Sequence, residues 1–100
     1  MMSLFPFSQY KILGQSMSPT LKEGQRVFVN HLAYFFKKPQ IGDLIAAKDP
    51  RDGKVLIKRI SKKEKGKYFL LGDNPAHSTD SRTFGMIGKK DLLCKVFAII

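Results

Sequence analysis

At 100 residues the chain supports one hydrophobic core and excludes two, since a chain this short buries only about 60 to 70 % of its unfolded surface. Hydrophobic residues at 43 % and charged residues at 26 % are ordinary globular usage, which excludes a disordered or fibrous chain. Eighteen Lys and Arg against eight Asp and Glu give a formal net charge of +10, which suits nucleic acid, anionic lipid or a merely solvated lysine-rich surface and selects none of them.

No stretch approaches the ~20 apolar residues that span a bilayer, and the start, MetMetSerLeuPheProPheSerGlnTyr, has neither a basic region nor a long apolar core. Neither a signal peptide nor an anchor is therefore expected. Leu4, Phe5 and Phe7 read as a short N-terminal strand packed on the core, with a dip into a membrane surface as the alternative. Cys94, the only cysteine, forbids an intramolecular disulfide, and its apolar neighbours mark it as a packed thiol.

In chain order, extended segments are expected at Tyr10–Leu13, Arg26–Asn30, Leu44–Lys48, Val55–Ile60, Tyr68–Leu71 and Leu92–Ile100. Turn residues separate them: SerProThr at 18 to 20, LysGluGly at 22 to 24, Gly42-Asp43, AspProArgAspGly at 49 to 53, and a polar loop from Gly72 to Ser81. The lysine-rich run at 61 to 67 reads as a hairpin loop. Only His31–Lys38 could make a helical turn or two, ended by Pro39. The expectation is an all-β, compact, barrel-like domain with little helix over residues 1–100, residues 1–9 forming an N-terminal extension.

Three places carry candidate chemistry. Ser16 lies in GlyGlnSerMetSerProThrLeu, at the end of an apolar strand where the chain must turn, so its hydroxyl would be presented at a strand end. Gly14 allows close approach of backbone to a ligand, and the Ser16 amide could donate to a developing oxyanion. A purely structural SerXaaXaaPro turn is the alternative. Lys58, in ValLeuIleLysArgIle, shares a strand face with Leu56 and Ile60, so its ammonium would be desolvated and its pKa lowered toward general-base range. The alternative is an edge lysine whose head reaches water. The loop GlyAspAsnProAlaHisSerThrAspSerArg at 72 to 82 offers an Asp80–Arg82 pair that would stiffen it, and the Ser78 hydroxyl could orient an amine. A turn capping its own backbone is the alternative there.

SerMetSerProThr at 16 to 20, LysArgIle at 58 to 60 and the 72 to 82 loop together resemble, in this order, the signature boxes of type I signal peptidases. IleGlyAspLeuIleAlaAla at 41 to 47 resembles the family's strand before the lysine box, so the likeness runs from about Gly14 to the C-terminus. The resemblance implies a Ser-Lys endopeptidase of the signal-peptidase and LexA type of β-fold, acting through an acyl-enzyme, with Ser16 as nucleophile and Lys58 as base. It further implies that Ser78 hydrogen-bonds the lysine, that Asp80 and Arg82 hold the loop while Gly72 and Asp73 shape its entry, and that Met17 borders the substrate cleft. Some relatives carry a side-chain oxyanion donor two residues before the nucleophile; Gly14 stands there in this chain, leaving the Ser16 amide as donor.

Family substrates have small residues at the first and third positions before the cut, which fits an extended precursor polypeptide bound as an added strand. No metal or organic cofactor is expected. His31 and His77 match no catalytic position. Without a membrane-spanning helix or a second β-region after the lysine box, the chain resembles the short maturation proteases of this superfamily, including those that trim nickel superoxide dismutase precursors. A monomer is expected, with peripheral contact with an anionic membrane surface and cytoplasmic placement both compatible.

Two other readings compete. A LexA-type autoproteolytic domain shares the Ser-Lys pair but lacks the 72 to 82 loop pattern. A basic β-barrel that binds nucleic acid would use Phe28, Tyr34, Phe35, Phe36 and Tyr68 as stacking surfaces. The three boxes favour the peptidase, for which no nucleic-acid partner is expected.

Overall fold

The structure is a computed structural model that describes residues 7–32 and 37–99. One antiparallel sheet contains β1 (Phe7–Lys11), β2 (Arg26–Asn30), β3 (Leu44–Lys48), β4 (Val55–Glu64), β5 (Lys67–Leu71), β6 (Ile87–Gly88) and β7 (Leu92–Ile99). Their spatial order is β1-β2-β7-β3-β4-β5-β6, and the sheet curls into a half-barrel. One short helix, α1 (Ser81–Phe84), and 3-10 turns at Pro75–His77 and Lys89–Asp91 are the helical pieces among the described residues. The expected all-β core with little helix is what forms. Among the described residues no helix is long and apolar enough to cross a membrane.

The curl follows from β3. Ile45, Ala46 and Ala47 are all fully buried, although successive strand residues point to opposite faces, so apolar material covers both sides of this strand. Ala46 packs with Val27, Val29, Leu21, Met17 and Cys94, whereas Ile45 and Ala47 pack with Ile60, Leu70, Tyr68 and Leu92. A bulge in β7 serves both clusters. Ala47 pairs with Leu92 and Ala46 with Cys94, leaving Leu93 as the extra residue. Leu92 and Cys94 would share a face in a regular strand; the bulge sends them to opposite sides.

Several boundaries differ from the sequence expectation. β1 begins at Phe7 rather than Tyr10, because Phe7 to Lys11 pair with Asn30 to Arg26. Residues 7–9 thus belong to the sheet and not to an extension, and the Phe7 ring lies against Phe97 with centroids 5.2 Å apart. β4 continues through the lysine-rich run to Glu64, and only Lys65 and Gly66, at φ 49° and 77°, form the turn, the backbone sign that tight hairpins favour. The strand β6 and helix α1 were not expected, being too short for periodicity to register. Tyr68 is a core residue and not a stacking surface. Leu4, Phe5, Tyr34, Phe35, Phe36 and the middle of the turn expected over His31–Lys38, residues 33–36, lie outside the described residues.

Ile60 sits fully buried where β4 pairs with β5. Ile60→Ala is expected to cost about 2–5 kcal/mol, read as a lower urea midpoint with an unchanged slope.

Candidate active site

The turn that carries Ser16 is anchored on both sides. Ile12 extends the β1–β2 pairing through Ile12 N–H to the Gln25 carbonyl at 2.8 Å, and Gly14, at φ 78°, then turns the chain while its N–H donates to Glu23 Oε2 at 3.1 Å. A Cβ at Gly14 would meet nothing within 4 Å, so the backbone angle and not space calls for glycine there. Met17 and Leu21 on the far side are buried in the core, with Leu21 N–H on the Met17 carbonyl at 2.9 Å. Ser16 is left half-buried at the rim.

Lys58 comes from β4, opposite Ile45, and is only 3 % exposed. Its Nζ donates to Ser16 Oγ at 2.8 Å. Burial pushes the pKa of its amine below the ordinary lysine value, and the Asp80 charge opposes this in part.

The 72 to 82 loop is organised by one carboxylate. Asp80, fully buried, accepts from Gly72 N–H at 2.9 Å, Ser78 Oγ at 2.9 Å, Arg82 N–H at 3.1 Å, and Arg82 Nε and Nη2 at 3.0 and 3.1 Å. Burial alone would push this carboxyl up; the Arg82 guanidinium, the two amides and the Ser78 hydroxyl outweigh it and hold the pKa at about 2. Asp80 also caps α1, and Ser81 Oγ accepts from Leu70 N–H at 2.8 Å, which fixes α1 on β5. At its other end the loop grips the serine turn: Asn74 N–H donates to the Ser16 carbonyl at 2.8 Å and Asn74 Nδ2 to the Gln15 carbonyl at 3.0 Å. Asp73 is held by Arg59 through two bonds at 3.0 and 2.8 Å, which lowers its pKa. A Cβ on Gly72 would fall 2.6 Å from the Ser16 carbonyl oxygen and against Ser78 Oγ, so only glycine fits between the loop and the serine turn.

A cleft of about 210 Å³ opens beside Ser16 and Lys58, walled by Ile12, Leu13 and Met17 on one side and Val55, Leu56 and Ile57 on the other. Two strand edges border it. β1 pairs only with β2, and Val55 to Lys58 pair only with β3, because β5 joins β4 from Arg59 onward. An extended peptide laid between them would find backbone donors and acceptors on both sides.

Signal peptidase, peptidase S26, is the family that matches this chain, over residues 1–62 and 61–100. The chain belongs to the signal peptidase family. With that membership it is a serine peptidase of the signal-peptide-cleaving kind. It is similar to signal peptidase I V of Bacillus subtilis, 30 % identical over 87 % of this chain and 82 % of that protein. It is also similar to the human mitochondrial inner membrane protease subunit 1, 35 % identical over 74 % of this chain and 57 % of that protein, and to thylakoidal processing peptidase 1 of Arabidopsis thaliana, 28 % identical over 70 % and 35 %. The chain thus spans about half or less of the two organellar relatives. The match divides at Ser61–Lys62, and 87 % of this chain faces 138 residues of the Bacillus protein, so that relative carries residues this signal peptidase family member lacks.

Ser16, Lys58, Met17, Gly72, Asp73, Ser78, Asp80 and Arg82 lie around one cleft or its supporting loop, drawn from three separate parts of the chain. Two details differ from expectation. Ser78 Oγ donates to Asp80 and not to the lysine, and Gly14 shapes the turn from an exposed position with its N–H already taken. His77 is exposed in its 3-10 turn, and the Cys94 thiol is buried, with its pKa raised to about 11. Arg59 and Asn74 were missed as positioning residues. Asn74 lies in the 72 to 82 loop, but nothing in sequence spacing says that it reaches Gln15 and Ser16.

Asp80 supplies a pH test of the loop. Its folded pKa lies below the ordinary 3.8, so its contribution to stability is present above that value and is lost as pH falls through about 2. Asp80→Asn should cost roughly 2 kcal/mol at neutral pH, and the deficit against the parent should shrink in acid denaturation profiles below pH ~4.

Proposed function

We propose that Ser16 is the nucleophile and Lys58 the general base of an endopeptidase that removes a signal peptide or propeptide after small residues. The observation that carries this reading is the 2.8 Å contact between Ser16 Oγ and the Nζ of a buried lysine. A lysine can take a proton only when neutral, and desolvation favours that form.

In the reaction, Ser16 Oγ attacks the scissile carbonyl carbon while Lys58 Nζ takes the hydroxyl proton. The tetrahedral oxyanion collapses, the C–N bond breaks, and Lys58 returns the proton to the departing amine, leaving an ester on Ser16. Lys58 then takes a proton from water as the hydroxide adds to the ester, and Ser16 leaves with that proton. The Ser16 N–H, which meets no acceptor among the described residues, is the oxyanion donor, and Gly14 adds no side-chain donor. Ser78 acts through Asp80, keeping the loop carboxylate in place rather than touching the base.

The cleft favours an extended precursor over a folded surface. Its strand edges supply main-chain hydrogen bonds, and its shallow apolar walls of Ile12, Met17, Leu56 and Ile57 suit small residues at the first and third positions before the cut. A peripheral role at an anionic membrane, where secretory precursors present such sites, accords with the +10 charge.

A panel of peptides with small residues before the scissile bond tests the reading. Ser16→Ala should lower kcat/KM by about 10³-fold or more and Lys58→Ala by about 10²- to 10⁴-fold. Equal activity in all three proteins would sink the assignment. The pH profile is a second check: the neutral fraction of Lys58 rises with pH, so kcat/KM should climb through a pKa below the ordinary 10.5 and be poor in acid.

A further inference from the structure

Two lysines line the cleft, and only one is used by the proposed reaction. Lys58 is buried on Ser16; Lys11, the last residue of β1, is exposed. Its cross-strand partner is Arg26, also exposed. Like charges placed directly opposite on a sheet repel, and no salt bridge among the described residues relieves either one. The Arg26 side chain reaches only Gln9 Oε1, at 3.4 Å, and Glu23, the nearest carboxylate in sequence, accepts from the Gly14 N–H. No Asp or Glu lines the cleft. Lys11 thus stands at the cleft with a second cation, Arg26, directly opposite it on β2.

We propose that Lys11 with Arg26 forms an acidic-residue subsite, so that this enzyme selects precursors carrying Asp or Glu upstream of the cut. The inference rests on the peptidase reading above, with the residues before the cut lying in the apolar cleft. Val55, on the wall facing β1, stands three residues before Lys58, roughly 10 Å along the strand at ~3.3 Å per residue. An extended peptide running along this wall from Lys58 to Val55 covers about four residues before the cut, so the residue at about the fourth position is the one set against Lys11, which lines the same cleft. A carboxylate there would relieve the Lys11–Arg26 repulsion and gain two charge-assisted contacts. Being exposed, the pair acts on recognition and not on the chemical step.

The test uses two fluorogenic peptides with alanine at the first and third positions before the cut, differing only in Glu or Gln at the fourth. The wild type is expected to favour the Glu peptide by about threefold to fivefold in kcat/KM, carried by KM, with the preference fading at high salt. Lys11→Gln and Arg26→Gln should each reduce the ratio, and Lys11→Glu should bring it below one. Binding of both peptides to Ser16→Ala, followed by fluorescence anisotropy, reports the same selectivity without turnover. Equal cleavage of the two peptides by the wild type, or a Glu preference that survives Lys11→Glu, would overturn the subsite and leave the peptidase reading standing. Glu-selective binding without cleavage would support the subsite and remove the peptidase reading. Absence of both cleavage and selective binding would overturn the two together.

Discussion

The buried Asp80 carboxylate is the constraint on which the site depends. An unpaired charge at a position with no solvent exposure would cost several kcal/mol, and here five hydrogen bonds from Gly72, Ser78 and Arg82 offset that cost. Each donor is thereby fixed relative to the others, so a loop of eleven residues with only one 3-10 turn and the start of a helix becomes a rigid support. The loop in turn holds the serine: Asn74 bonds the Ser16 carbonyl, and the missing Cβ of Gly72 lets the two backbones touch. The same charge acts on Lys58, opposing the pKa drop that burial imposes. The Lys58 amine is thus subject to two opposing effects, desolvation by β4's surroundings and attraction by the carboxylate that organises its neighbours.

The sheet contributes its incompleteness. β3, buried on both faces, forces the curl, and the bulge at Leu93 allows β7 to feed both clusters. A fully closed barrel would pair every strand edge. Here β5 joins β4 only from Arg59 onward, and the gap left beside Val55 to Lys58 faces the unpaired side of β1. The unpaired edge and the buried lysine lie on the same stretch of β4. The position where the family match divides lies farther along β4, beyond Ile60 and away from every contact that Ser16 and Lys58 make. A two-residue turn at Lys65–Gly66 closes that hairpin.

Period-two alternation made the middle strands legible: Arg26–Asn30 and Leu44–Lys48 form with the boundaries that their composition suggests, and the shared face of Leu56, Lys58 and Ile60 forecast a desolvated amine. The likeness of three short boxes, not periodicity, brought Ser16, Lys58 and Asp80 together in advance. What was not legible depended on tertiary register. Ser78 donates to Asp80, whose carboxylate lies two residues along the same turn. Arg59, on the face opposite Lys58, found its role only once β5 had carried Asp73 alongside. The bulges at Ser61 and Leu93 have no composition signal, since an extra residue differs in nothing but pairing.

Lys11 and Lys58 show why a net charge of +10 carries so little about function by itself. Both are strand lysines, and both line one cleft. Lys58 shares its face with apolar neighbours and is buried, which disfavours its charged form. Lys11 stands on the outward face at a sheet edge, keeps its water, and faces another cation across the strand pair, so its influence is that of a fixed charge on whatever enters. The difference lies in the face and the cross-strand partner, two quantities that pairing register decides and composition does not contain.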